Sequence, residues 1–276
     1  MGIGLLATAI TAWFTLNAYA ATKIARGGVD LRQTPDPASV GLDFANVTYG
    51  DGLPAWYVAG APGRPVIVVV HGYGGNRTAT VEVGPPLREL GYGLLFVDLG
   101  YVSGARRYGG GEREAGEVED AVRWVGDTQY VPAVVLGFSG GAFASLAAVA
   151  RGARPAAIVA DSGFTGFRSV VAFRAHVPRI VTNLLPVLYP LVSGGGHALD
   201  VAREVDKRPF DVPAFIIQGT GDRTIPPSEG PRLARLTSGR LWQLPGVGHT
   251  KAFDTDRAVY VARVDEFVRS VVPAPG

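Results

Sequence analysis

Short apolar runs recur along the chain, and each predicts a strand that is buried on both faces. The run Pro65–Val70 is rich in β-branched residues, and comparable runs follow at Gly93–Asp98, Ala133–Phe138 and Ala156–Ala160. Such composition is typical of central strands in a parallel sheet, because helices cover both faces. Between the runs, apolar residues recur at helical spacing, as in Glu112–Asp127. The alternation predicts an α/β fold with a mostly parallel, doubly wound sheet.

Two segments depart from this alternation. Near the start, Phe44–Tyr49 and Ala55–Val58 flank Gly50-Asp51-Gly52, which predicts an antiparallel hairpin at the sheet edge. Over residues 165–212 the alternation lapses, and prolines break an apolar stretch into short pieces. An insertion of this length above the strand ends predicts a small helical cap. The alternation then resumes, with strands at Ala214–Gln218 and Arg240–Leu244 and helices at Ser228–Leu236 and Arg257–Val271.

The first 22 residues carry no charged side chain, and Lys23 and Arg26 follow directly. A helix of about 20 apolar residues can span the hydrocarbon core of a membrane. We therefore predict an N-terminal hydrophobic helix over residues 1–26 that anchors the protein to a membrane, on an undetermined side. A linker over 27–43 follows it. One alternative is a signal peptide cleaved after Ala18-Tyr19-Ala20, which would leave a secreted protein, although the usual positive charges before such a segment are missing. The other alternative is a buried or misannotated leader.

Composition excludes several kinds of site. Without Lys23 and Arg26 the basic and acidic residues are equal in number, which argues against nucleic-acid binding by the globular part. The chain has no cysteine, so disulfides and thiolate metal sites are excluded. Its four histidines form no pair at zinc-ligand spacing. We therefore predict that the protein binds no metal and no cofactor.

The candidate chemistry lies at Gly137-Phe138-Ser139-Gly140-Gly141, where a buried strand ends and an apolar helix begins. Gly-x-Ser-x-Gly at such a turn is the nucleophile elbow, which lifts the serine hydroxyl clear of the sheet edge. A second turn, His71-Gly72-Tyr73-Gly74-Gly75, leaves a central strand and exposes backbone N–H groups that can bind a developing oxyanion. We expect His71 to stabilise this loop. A phosphate-binding loop is excluded, because no Gly-Lys-Ser/Thr follows.

Two more polar residues, Asp222 and His249, follow the last two predicted strands. Because the carboxyl ends of parallel strands meet at one edge of the sheet, these residues and Ser139 are expected to converge. A serine nucleophile needs a base within hydrogen-bond reach, and that base needs an orienting acid. Asp161 also follows a strand and precedes His249, so it is the alternative acid.

With these motifs in the order Ser, Asp, His, residues 44–272 resemble an α/β-hydrolase. The hydrophobic N-terminus and small cap make the chain similar to membrane-associated bacterial hydrolases of the serine-aminopeptidase-like group. The resemblance implies that Ser139 is the nucleophile, that His249 is the general base and then acid, and that Asp222 orients it. It also implies an oxyanion hole formed by the amides of Tyr73 and Gly140.

We predict a serine hydrolase that cleaves a small-molecule carboxylic ester, acyl or lipid-like, through an acyl-enzyme. Apolar cap residues such as Leu184 and Leu188 favour an apolar substrate portion or serve only to pack the cap. The enzymatic alternatives are a thioesterase and a serine peptidase or aminopeptidase of the same fold. An aminopeptidase would offer cap carboxylates, such as Asp200, Glu204 and Asp206, to the ammonium group of its substrate. The alternative outside enzymes is a membrane-tethered binding module.

Overall fold

Eight strands form one sheet at the centre of the computed structural model, which describes residues 2–272. In chain order the strands are β1 (Ala45–Tyr49), β2 (Leu53–Val58), β3 (Val66–Val70), β4 (Gly93–Val97), β5 (Ala133–Phe138), β6 (Ala157–Asp161), β7 (Ala214–Gly219) and β8 (Arg240–Leu244). Across the sheet their order is β1-β2-β4-β3-β5-β6-β7-β8. β2 pairs antiparallel with β1 and β4, and the other neighbours are parallel. The predicted parallel sheet with an antiparallel hairpin at its edge is confirmed.

Helices alternate with these strands. They are α1 (Gly2–Arg26), α2 (Gly84–Glu89), α3 (Glu112–Gln129), α4 (Gly140–Arg151), α5 (Phe167–Arg174), α6 (Leu185–Ser193), α7 (Val201–Lys207), α8 (Glu229–Thr237), α9 (Ala252–Thr255) and α10 (Arg257–Val271). Short 3₁₀ helices cover Pro37–Val40, Arg77–Val83 and Arg179–Thr182.

The central strand β3 shows why the sheet reads as continuous apolar runs. Val66, Val68 and Val70 face one core, which also contains the apolar faces of α3 and α4. Ile67 and Val69 face a second core, which contains apolar residues of α2 and α10. Because helices cover both faces, every position of β3 is buried and apolar.

Strand register brings the loops of the candidate site together. In the parallel pairing of β3 and β5, Val70 lies opposite Gly137, so the glycine-rich loop and the nucleophile elbow start side by side. Phe138 lies opposite Asp161 across β5 and β6, and Gly219 lies opposite Leu244 across β7 and β8. The loops that contain Asp222 and His249 therefore leave the same edge of the sheet.

Between β6 and β7 the chain forms α5, the 3₁₀ helix Arg179–Thr182, α6 and α7. These are short helices, as the proline-broken pattern predicts. The limits of the linker (27–43), the hydrolase domain (44–272) and the cap (165–212) stay predictions.

The N-terminal hydrophobic helix is present as α1, but the prediction that it spans a membrane is not supported. Within residues 2–272, no helix is both long and apolar enough to cross a membrane. The physical reason is dilution, because alanine and threonine separate the larger apolar side chains of α1.

The second half of α1 packs on the rest of the protein. Ala20, Ala21 and Ala25 are buried in the same core as α3 and α4, and the helix lies against α6 of the cap. Two polar side chains also contact the cap. Trp13 Nε1 and Asn17 Nδ2 both donate to the carbonyl of Val181, at 2.7 and 2.9 Å. α1 is therefore part of the packed fold from Trp13 onwards.

Candidate active site

The nucleophile elbow is a strained turn that only small neighbours permit. Ser139 has φ 51° and ψ −112°, a left-handed backbone that costs a non-glycine residue about 1–3 kcal/mol. A Cβ on Gly141 would collide with the carbonyl oxygens of Val70 and His71, and one on Gly137 would lie 2.7 Å from Ala142 N. The glycines therefore let β5 turn directly into α4, and the turn presents the Ser139 hydroxyl above the sheet edge.

The three predicted side chains meet in one hydrogen-bonded row. His249 Nε2 lies 2.9 Å from Ser139 Oγ, and His249 Nδ1 lies 2.7 Å from Asp222 Oδ2. An ionised carboxylate only accepts hydrogen bonds, so Nδ1 carries the proton and Nε2 is left as an acceptor for the serine hydroxyl. This geometry fits a serine nucleophile with its base and orienting acid.

The Asp222 carboxylate is buried and well supplied with donors. Its Oδ1 accepts from the amides of Thr224 (2.7 Å) and Ile225 (2.9 Å). Burial alone would raise the pKa of Asp222, but the hydrogen bonds from His249, Ile225 and Thr224 outweigh burial and lower the pKa below its ordinary value. The carboxylate therefore stays ionised beside His249.

Asp161, the alternative acid, contacts a different part of the site. Its Oδ1 accepts from Ser162 Oγ at 2.9 Å, and Ser162 Oγ in turn accepts from the amide of Thr250 at 3.0 Å. Burial raises the pKa of Asp161 to about 6. Asp161 thus supports the loop that carries His249, while the His249 ring itself is hydrogen-bonded to Asp222.

The two predicted oxyanion donors lie next to each other. A Cβ added to Gly140 would lie 2.8 Å from the amide nitrogen of Tyr73, so the two residues are in direct contact. Gly140 is the first residue of α4, and the amides of a first helical turn have no intrahelical acceptor. The two residues therefore lie beside Ser139, and their role as an oxyanion hole stays a prediction.

Buried side chains fix the glycine-rich loop from below. His71 Nδ1 lies 2.8 Å from the carbonyl of Gly72, and the amide of Leu99 donates to His71 Nε2 at 3.2 Å. Burial lowers the pKa of His71, so the ring is neutral and Nδ1 is the donor. His71 therefore stabilises the loop, as expected. Asn76 caps the following 3₁₀ helix by accepting from the amide of Thr78 at 2.9 Å.

Sequence reasoning missed the contribution of the N-terminal segment to this loop. The Tyr73 hydroxyl donates to the carbonyls of Lys23 (2.9 Å) and Ile24 (3.1 Å) at the end of α1. Asn76 Nδ2 donates to the carbonyls of Asp30 (3.0 Å) and Arg32 (2.8 Å). No local sequence pattern predicts these hydrogen bonds, because the bonded residues lie more than 40 positions apart.

Two cavities meet at Ser139 and His249. The loop-side cavity, of about 410 Å³, is lined by the glycine-rich loop and by residues of the segment after β8, among them His249, Lys251 and Asp254. The helix-side cavity, of about 730 Å³, is lined by α1, by α5 and by residues around Ile225. Within residues 2–272, no group of three or more histidine, aspartate or glutamate side chains is arranged to hold a metal ion. The absence of a cofactor stays a prediction.

Comparisons with known proteins place the fold. No family profile matches the chain. The uncharacterized protein Rv2307c of Mycobacterium tuberculosis is 26% identical over 231 residues, which are 78% of this chain and 74% of that protein. The esterase Pf2001 of Pyrococcus furiosus superimposes with a TM-score of 0.71 and 20% identity, over 88% of this chain and 97% of that one. The α/β hydrolase GrgF of Penicillium sp. sh18 superimposes with a TM-score of 0.61 and 18% identity, over 83% of this chain and 98% of that one.

The chain has the α/β-hydrolase fold. The esterase RhEst1 of Rhodococcus sp. ECU1013 agrees, with a TM-score of 0.58 and 20% identity over 83% of this chain and 99% of that one. The α/β-hydrolase resemblance seen in the sequence is thereby confirmed at the level of the fold. In open α/β sheets, ligands generally bind at the carboxyl ends of the strands, and Ser139, Asp222 and His249 lie at that edge.

Proposed function

We propose that this protein is a serine hydrolase that cleaves a carboxylic ester through a covalent acyl-enzyme. The supporting observation is the row of hydrogen bonds from Asp222 through His249 to Ser139, at 2.7 and 2.9 Å. The row ends where two cavities meet, so an ester bound across them would present its carbonyl carbon to Ser139 Oγ.

In the first half-reaction, Ser139 Oγ attacks the ester carbonyl carbon while His249 Nε2 takes the hydroxyl proton. The carbonyl oxygen becomes an oxyanion, which the amides of Tyr73 and Gly140 stabilise; one such donor is worth about 2.7–4 kcal/mol. His249 then gives its proton to the leaving alcohol, and the C–O bond breaks to leave the acyl-enzyme. Asp222 stabilises the imidazolium throughout.

In the second half-reaction, water takes the place of the alcohol. His249 removes a proton from this water, which attacks the acyl carbon and forms a second oxyanion at the same amides. The carbon–oxygen bond to Ser139 then breaks, and the serine oxygen recovers its proton from His249. The carboxylic acid leaves and the free protein is restored.

The charge distribution favours this proposal over an aminopeptidase. Asp200 caps α7 and pairs with Arg179 at 2.8 Å, and Glu204 pairs with Lys207 at 2.8 Å. Neither these carboxylates nor the exposed Asp206 line a cavity at Ser139. The cap therefore offers no carboxylate at this site to hold a substrate ammonium group. The two carboxylates of the loop-side cavity, Glu82 and Asp254, pair with Arg257 at 3.3 Å and with Lys251 at 2.7 Å. A thioester would react by the same steps, with a thiol as the leaving group, so thioesters should be tested beside esters as substrates.

The decisive experiment is labelling with a fluorophosphonate probe, combined with turnover of 4-nitrophenyl butyrate. The wild-type protein should be labelled and active, and Ser139→Ala should lose both properties while keeping its unfolding transition. Ser228→Ala, which changes an exposed serine before α8, is the matched control and should behave like the wild type.

Three results would contradict the proposal. Turnover that survives in Ser139→Ala would exclude this nucleophile. Failure of the wild-type protein to react with the probe would favour a binding module. Faster turnover of aminoacyl-naphthylamides than of esters would favour a peptidase.

A further inference from the structure

The helix-side cavity combines an apolar floor with cationic edges. Its floor is formed by apolar side chains of α1 and of the segment from β6 into α5: Leu16, Ile24, Phe164, Phe167 and Val170. Ser139 and His249 also line it, so a substrate portion bound there is in reach of the nucleophile. Its lysine and arginine lining residues are Lys23, Arg26 and Arg174, and it has no aspartate or glutamate in its lining.

None of the ion pairs formed within residues 2–272 includes Lys23, Arg26 or Arg174. The loop-side cavity differs, because its cation, Lys251, pairs with Asp254 at 2.7 Å and Glu82 also lines it. Among the described residues that line the two cavities, lysines and arginines without an ion-pair partner therefore lie only in the helix-side cavity.

The positions of these three cations at helix C-termini are favourable in themselves. Lys23 and Arg26 lie in the last turn of α1, and Arg174 lies in the last turn of α5. A cation at a helix C-terminus is favourable by about 0.3–1 kcal/mol. That effect accounts for each cation on its own helix, but it does not require both helices to direct their C-terminal ends at the same cavity. An anion bound there would be attracted by all three charges at once.

We propose that the ester cleaved by this protein is anionic, with an apolar portion on the floor of the helix-side cavity and a negatively charged group held by Lys23, Arg26 and Arg174. This inference rests on the proposed function and specifies its substrate class. The negative group belongs to either the acyl portion or the alcohol portion of the ester, and the two are chemically equivalent for the three cations.

Two matched pairs of esters test the inference. In the acyl pair, 4-nitrophenyl hemiglutarate carries a terminal carboxylate where 4-nitrophenyl pentanoate carries a methyl group. In the alcohol pair, 4-carboxyphenyl pentanoate is compared with its methyl ester. In one pair the anionic member should have a kcat/KM about tenfold above the neutral member at low ionic strength, because two or three partly exposed ion pairs contribute about 1–2 kcal/mol. High salt should reduce this ratio, because it screens exposed charges.

The variant Lys23→Gln/Arg174→Gln removes two of the three cations and should reduce that ratio to at most about threefold. The substitution at position 23 leaves the main-chain carbonyl that accepts from Tyr73 in place. Lys207→Gln removes a cation that pairs with Glu204 outside both cavities, and it should keep the wild-type ratio.

The outcomes separate the two proposals. Turnover of all four esters with no anionic preference, or a preference that the double variant keeps, would overturn this inference and leave the proposed function standing. Failure to turn over any ester, together with failure to react with the fluorophosphonate probe, would overturn both. The pair in which the preference appears identifies whether the acyl or the alcohol portion occupies the helix-side cavity.

Discussion

The hydroxyl of Tyr73 donates to the main-chain carbonyl of Lys23 at 2.9 Å, and this bond joins the glycine-rich loop to the last turn of α1. Carbonyls in a last helical turn have no intrahelical amide partner, so the phenol satisfies an acceptor that water would otherwise occupy. The same residue supplies a proposed oxyanion donor through its amide. The position of that donor therefore depends on α1.

Tyr73→Phe removes the hydroxyl and keeps the amide. We expect the free energy of unfolding to fall by about 1 kcal/mol, the net value of one hydrogen bond. We also expect kcat for 4-nitrophenyl butyrate to fall about threefold to tenfold, with a smaller change in KM, because a looser loop places the amide less well for the transition state. Tyr130→Phe, at an exposed tyrosine, is the control. An unchanged kcat in Tyr73→Phe would show that the loop holds its position without α1.

Two N-terminal deletions test whether α1 belongs to the active site. Deleting residues 2–12 removes the part before Trp13, where the hydrogen bonds to the cap begin, and should leave ester turnover and the unfolding temperature nearly unchanged. Deleting residues 2–26 removes one wall of the helix-side cavity and the acceptors of Tyr73, so turnover should fall by more than about tenfold. Full activity in the longer deletion would contradict this role.

The two carboxylates near His249 should differ sharply when each is replaced by its amide. Asp222→Asn leaves an amide opposite His249 Nδ1 and favours the wrong tautomer, so kcat should fall by about 10⁴. Asp161→Asn keeps an oxygen that can accept from Ser162, and the expected loss in kcat is less than about tenfold. Steady-state kinetics on both variants measure the contrast. The reverse order would assign the acid role to Asp161.

Buried Glu117 makes stability depend on pH. Burial raises its pKa from 4.5 to about 7, although the amide of Gly100 opposes this by donating to it. Between pH 4.5 and 7 the folded state keeps a proton that the unfolded state releases, so the free energy of unfolding falls as the pH rises through this window. Asp161, with a raised pKa of about 6, acts in the same direction.

Glu117 contributes a fall in the free energy of unfolding on the order of 1–3 kcal/mol across this pH window. Glu117→Gln should remove that contribution. Denaturant unfolding on either side of the window, at about pH 5 and about pH 7.5, measures it. Glu119→Gln, on the same helix but half-exposed, is the control and should keep the wild-type slope. An equal slope in wild type and Glu117→Gln would contradict the raised pKa.

The sheet and the Ser139 row were predictable because their causes are local or topological. A β-branched run buried on both faces identifies a central strand such as β3, and polar residues after parallel strands converge at one edge. The acid was not decided by this argument, since Asp161 and Asp222 both follow strands. Only the 2.7 Å contact between His249 and Asp222 separates them.

Composition alone did not predict whether α1 would span a membrane or pack on the rest of the protein. A run without charges is compatible with lipid or with a protein surface, and its alanines serve either environment. Packing decides the matter, because Ala21 and Ala25 are completely buried against the domain. The bond between Tyr73 and Lys23 joins residues 50 positions apart, and no periodicity in the sequence encodes it.

The tripeptide Ala18-Tyr19-Ala20, which matches the small-x-small pattern of a signal-peptidase site, lies inside α1 with Ala20 buried. A cut after Ala20 would remove Leu16 and Tyr19 from the helix-side cavity. The acceptors of Tyr73, the carbonyls of Lys23 and Ile24, would stay on the remaining chain, but the part of α1 left there would be too short to form a stable helix by itself. Proteolytic cleavage at this bond would therefore inactivate the proposed hydrolase and would not activate it.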